Sequence, residues 1–131
     1  MTNVNETSRL AWRKFVVPHT QLQTAAVTNT KLLLTLPAGN VIHRTFIYVT
    51  QAFTGTTTLT LSVGTAGDNL KFAVAQSALS TGLLNGVGLT APLPESMSAG
   101  TDINLYAVST VQNLSSLTQG SADIYILISQ L

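Results

Sequence analysis

The sequence predicts an all-β domain, and three observations carry that prediction. Apolar and polar residues alternate with a period of two along several short runs, which places successive side chains on opposite faces of a sheet. Clusters of Gly, Asn, Asp and Pro separate these runs at fairly regular spacing. Thr, a β-branched residue suited to pleated strands, occurs 20 times among 131 residues. Helical periodicity is scarce. Seven or eight strands are expected, the pattern of an antiparallel sandwich or barrel.

The elements follow in chain order. Met1 to Ser8 carries one aliphatic residue, Val4, and reads as an N-terminal arm. Arg9, Arg13 and Lys14 then supply half of the six cations, interleaved with Trp12 and Phe15. An arm of aromatics and cations suits docking onto a partner; alternatively, Leu10 to Val17 is a first strand with Trp12 in the core. The arm is taken as residues 1–14 and the single domain as 15–131. His19 to Thr28 has room for a helical turn or two, because Leu22, Ala25 and Ala26 share a helical spacing. Leu32, Leu34 and Leu36 mark a strand.

Val41 to Thr50 is unusual in being apolar on both faces. Strict alternation would set Ile42, Phe46 and Tyr48 against Val41, Ile47 and Val49. A sheet strand facing water should be polar on one side, so either both faces are covered within the monomer or, the reading favoured here, one face packs on another chain. Thr58 to Val63 is the cleanest strand, with Leu59, Leu61 and Val63 inward. Leu70, Phe72 and Val74 repeat the pattern, and Gln76 to Leu84 is a weak helical candidate. Ile103, Leu105 and Ala107 form another strand. The last has Ala122, Ile124, Ile126 and Ile128 on one face, with Tyr125 and Leu127 opposite.

Composition narrows the function. Charged residues make up 8% of the chain, against roughly 25% in an average soluble domain. A net charge of +1 from six cations gives a poor footprint for nucleic acid, so no nucleic acid is expected as a partner. No run of about 18 apolar residues marks a membrane helix, and no membrane is expected either. The N-terminal ten residues lack the apolar stretch of a secretory signal, so Asn5-Glu6-Thr7 and Asn113-Leu114-Ser115 read as chance sequons. With so little charge to hold copies apart, the chain is expected to work inside an assembly.

Catalytic chemistry finds little material. Without cysteine, disulfides, thiolate metal sites and Cys nucleophiles are excluded. His19 and His43 have no carboxylate beside them in sequence. Glu6, Asp68, Glu95, Asp102 and Asp123 are scattered, although Glu95 and Asp102 are the nearest to a paired arrangement. No serine sits in a G-x-S-x-G elbow, and Gly86-Val87-Gly88 lacks the Lys of a phosphate loop. Asp68-Asn69 supplies too few oxygens for calcium. No enzyme, cofactor or metal site is expected.

Several segments taken together do resemble a known group. These are Val17-Pro18-His19-Thr20, Leu22-Gln23-Thr24-Ala25-Ala26, Leu36-Pro37-Ala38-Gly39-Asn40-Val41-Ile42-His43, Ala52-Phe53, Leu61-Ser62-Val63-Gly64, Ala107-Val108-Ser109-Thr110 and Gly120-Ser121-Ala122-Asp123-Ile124-Tyr125-Ile126-Leu127. From about Phe15 to the end, the chain is similar to small tailed-bacteriophage virion proteins, the decoration, cement or head-fibre proteins. The resemblance implies an antiparallel β-sandwich of jelly-roll type. It also implies a structural role, on the capsid surface of a virion made in the host bacterial cytoplasm, with the major capsid protein as partner. It implies a homo-oligomer, expected as a trimer, and carries over no functional residue. The residues themselves suggest Ile42, Phe46, Tyr48, Tyr125 and Leu127 for subunit contacts, and Arg9, Trp12, Arg13, Lys14 and Phe15 for capsid contact. The rival reading is a tail-fibre or receptor-binding module that recognises a host-surface glycan.

Overall fold

Two antiparallel sheets built from nine strands pack face to face in the computed structural model, which describes residues 10–84, 95–97 and 99–130. The strands are β1 (Ala11–Pro18), β2 (Thr28–Leu36), β3 (Asn40–Thr54), β4 (Thr60–Gly64), β5 (Ala73–Ser77), β6 (Gly82–Leu84), β7 (Glu95–Ser96), β8 (Thr101–Val108) and β9 (Gln119–Gln130). One sheet runs β1-β9-β3-β6, with β7 also on β3. The other runs β2-β8-β4-β5. The pairings nest: β1 with β9, β2 with β8, β3 with β6 and β7, β4 with β5. Two antiparallel sheets paired in this way form a β-sandwich.

The core lies between the sheets and is made by the alternation legible in the sequence. Ala122, Ile124, Ile126 and Ile128 of β9 face Ile103, Leu105 and Ala107 of β8 and Leu61 and Val63 of β4 across one buried cluster. Phe53 and Phe72 are its largest members. Loop polar groups are tied down by side chains. Gln112 accepts from the Thr57 amide at 2.8 Å and donates to the Thr57 hydroxyl at 2.7 Å. Gly120 is required where it sits: its φ is +136°, and a Cβ there would run into the Phe53 ring.

Several expectations change. The helical segment from His19 shrinks to one 3-10 turn, His19–Gln21. Gln76 to Leu84 is not helical; it ends β5 and forms β6, which Gly82 opens at φ +134°. Phe72 and Ala73 are both buried, so the strand expected through Leu70 begins three residues later, at Ala73. Residues 11–14, expected in the arm, are paired strand in β1; Met1 to Arg9 lie outside the described residues, as does Asn85-Gly86-Val87-Gly88.

The two-faced strand has a specific explanation. In β3 the register against β9 steps from Ile42↔Ile128 to Arg44↔Leu127, leaving His43 as an extra, bulged residue. The bulge shifts the alternation by one. Ile42 therefore joins Ile47 and Val49 in the core, and Arg44, Phe46 and Tyr48 face outward. Ile42, expected at a subunit contact, is fully buried within its own chain. The His43 ring bonds Ser129 Oγ at 2.7 Å.

Candidate functional site: an aromatic sheet face

The outer surface of the β1-β9-β3-β6 sheet is the site that these elements build. Strand register sets its side chains in rows. Trp12, Leu127 and Arg44 form the first, and Lys14, Tyr125 and Phe46 the second. Val16, Asp123, Tyr48 and Leu83 form the third. Directly opposed residues on one face of a sheet are neighbours in space.

The aromatic residues cluster as that register requires. Phe46 stacks on Tyr125 with ring centroids 5.0 Å apart. Trp12 packs edge-on against Phe46 at 5.2 Å and against Tyr125 at 6.4 Å. Both spacings fall in the favourable range for aromatic pairs. Yet the cluster is not covered: Trp12 is 48% exposed, Val16 57%, Tyr48 45% and Leu83 54%. These large apolar side chains lie on one continuous face, and contiguous apolar patches on a soluble surface mark contact sites.

One ion pair crosses the patch. Lys14 Nζ lies 3.6 Å from Asp123 Oδ2, with side-chain exposures of 52% and 12%. The same ammonium stands 5.9 Å from the Tyr125 ring centroid. A carboxylate so little exposed needs a cation or hydrogen-bond donors nearby, and Lys14 supplies the cation.

Six of the ten suggested contact residues meet on this face: Trp12, Lys14, Phe46, Tyr48, Tyr125 and Leu127. The two sets suggested for separate contacts thus merge into one surface. Ile42 is in the core. Phe15 points to the inner side and packs against it. Arg13 shares the inner row with Phe15 and Val17 but is exposed. Arg9 lies outside the described residues. Sequence reading missed Val16 and Leu83, whose exposure only the register reveals.

The opposite outer face differs in character. Thr28, Thr30 and Thr35 of β2, Asp102, Asn104 and Tyr106 of β8, and Thr60 and Ser62 of β4 face out there. Thr35 Oγ1 donates to Asp102 Oδ1 at 2.6 Å, and Asn104 Nδ2 to the Tyr106 hydroxyl at 3.2 Å. No group of three or more metal-ligating side chains occurs among the described residues. No helix of the described residues is long and apolar enough to cross a membrane.

No family model matches the chain, and no curated protein matches it. Solved structures do. A chain of the cyanophage Pam1 capsid asymmetric unit superposes with a TM-score of 0.57 at 18% identity, over 95% of this chain and 87% of that one. A chain of the acid-stable capsid of Helicobacter pylori bacteriophage KHP30 gives 0.59 at 15% identity, over 94% and 87%. The likeness is one of fold, and it spans nearly the whole of each chain.

Proposed function

We propose that this chain is a bacteriophage virion structural protein that decorates the capsid and cements it. It binds the major capsid protein as a homo-oligomer, expected as a trimer, and acts without catalysis. The observation that carries the reading is the aromatic face of the β1-β9-β3-β6 sheet, uncovered in the single chain. Its fold is shared with chains of two phage capsids, which supports the virion setting. In this reading Phe46, Tyr48, Tyr125 and Leu127 pack copy against copy. The exposed Trp12, Arg13 and Lys14 of β1 meet the shell.

The test combines light scattering on the eluting protein with sedimentation of empty, expanded phage heads. The wild type should elute as an oligomer and co-sediment at a saturable ratio. Replacing Phe46 and Tyr48 together with Ser should give a monomer; an unchanged oligomer removes the aromatic face from the interface. A monomeric wild type that ignores heads favours the tail-fibre or receptor-binding reading. That second reading draws on the same platform, since Trp12, Phe46 and Tyr125 present ring faces on which a host glycan would stack. A glycan array is its direct test.

A further inference from the structure

The sheet edges differ in how open they are. An exposed edge is a template for another strand, and native proteins blunt edges with short strands, bulges, Pro or inward-pointing charges. On the β1-β9-β3-β6 sheet, β6 has three residues and β7 two. On the other sheet, β5 has five residues and its pairing with β4 slips between Leu61 and Val63. The β2 edge is bulged between Leu32 and Leu34, and its Lys31 sits on the core-facing row opposite Leu105. Strand β1 is neither short nor bulged: its Pro stands at the last position, and its one inner-row charge, Arg13, is exposed instead of turned into the core. Eight consecutive residues, Ala11 to Pro18, pair with β9 without a register shift, and no described strand lies on its other side.

The charge on this edge selects its occupant. Arg13 and Lys14 project to opposite faces of the same strand. Arg13 is exposed and makes no ion pair among the described residues. A second copy of β1 laid antiparallel in either register that pairs nearly the whole strand would bring like charges together. Centred on Lys14 it opposes Lys14 to itself, and centred on Phe15 it makes the two lysines diagonal neighbours. A strand bearing carboxylates meets no such conflict.

We infer that the free edge of β1 receives an extended segment of the shell protein as an added strand, with carboxylates opposite Arg13 on one face and Lys14 on the other. Main-chain hydrogen bonds hold the segment and the charges set its register. The inference rests on the capsid reading above and names how the contact is made.

Amide hydrogen exchange on the full chain, alone and on empty expanded heads, tests it. Alternate amides of β1 donate to β9 and the others face outward. In the free protein the outward set should exchange fast; on heads it should become protected, in steps of two residues. Arg13→Glu, at an exposed position, should weaken head binding by about an order of magnitude and leave the melting temperature unchanged. Binding to heads with the outward amides still fast overturns the added strand while leaving the capsid reading intact. Protection already present in the free oligomer overturns it in favour of a second copy. Undiminished binding by Arg13→Glu removes the carboxylates from the proposal. Absence of head binding removes the capsid reading and this inference with it.

Discussion

At the scale of single residues three buried hydroxyls, those of Thr45, Thr56 and Ser109, lack a hydrogen-bond partner among the described residues. The Thr45 hydroxyl is buried on the core side of β3 and finds no hydrogen-bond partner. An unsatisfied buried hydroxyl costs stability that an isosteric methyl would not. Thr45→Val should therefore raise the unfolding free energy by about 1 kcal/mol, read from a shifted denaturant midpoint at constant slope. The opposite effect is expected at Gly120. Its left-handed φ and the Phe53 ring in the path of a Cβ leave no room for a side chain. Gly120→Ala should cost about 2 kcal/mol or more, combining backbone strain with overpacking. Lys14→Met should cost less, about 0.5–1 kcal/mol, because a half-exposed lysine is well solvated even beside Asp123.

At the scale of elements the important device is the His43 bulge. It allows one strand to serve the core with Ile42, Ile47 and Val49 and the outer face with Phe46 and Tyr48. Deleting His43 removes the extra residue, so Ile42↔Ile128 and Arg44↔Leu127 become consecutive rungs and Ile42 stays in the core. Both the deletion and His43→Ala lose the bond to Ser129, worth about 1 kcal/mol, so the two variants should lower the melting temperature by similar, small amounts. The same bulge shows where sequence reading reached its limit. In β9 and β4, which carry no bulge of their own, alternation alone identified the inward rows, Ala122 to Ile128 and Leu61 with Val63. A bulge is a main-chain event with no residue signature, so Ile42 was placed on the wrong face. Trp12 and Phe15 show a related limit. Neighbours in sequence terms, they point to opposite sides of β1, and only pairing with β9 reveals which aromatic is core and which is exposed.

At the scale of the whole molecule the two outer faces divide the labour. One is aromatic and uncovered; the other carries hydroxyls and amides that bond one another. The lack of charge was legible in composition and pointed to assembly, but its distribution was not. Thr28, Thr30, Thr35 and Thr60 line the outer side of the β2-β8-β4-β5 sheet beside Leu32 and Tyr106, while Trp12, Phe46, Tyr48 and Tyr125 gather on the β1-β9-β3-β6 sheet. Truncation should separate the roles of the chain's beginning. Removing residues 1–9 leaves every described strand in place and should preserve the melting temperature. Removing 1–14 also takes Ala11 to Lys14 out of β1 and should lower it, measured by scanning calorimetry.

The pairing of the outermost ribbon strands has a mechanical consequence. Ala11 lies opposite Ile128, so the start of β1 and the end of β9 leave the sandwich at the same corner. Tension applied between those two points would pull across the strands and open the β1·β9 ladder one rung after another, like a zipper, instead of shearing all its rungs at once. Such a geometry yields at low force in an optical trap. In the cementing role proposed above, load would have to pass through the broad side and the strand edge, and not along the backbone from end to end.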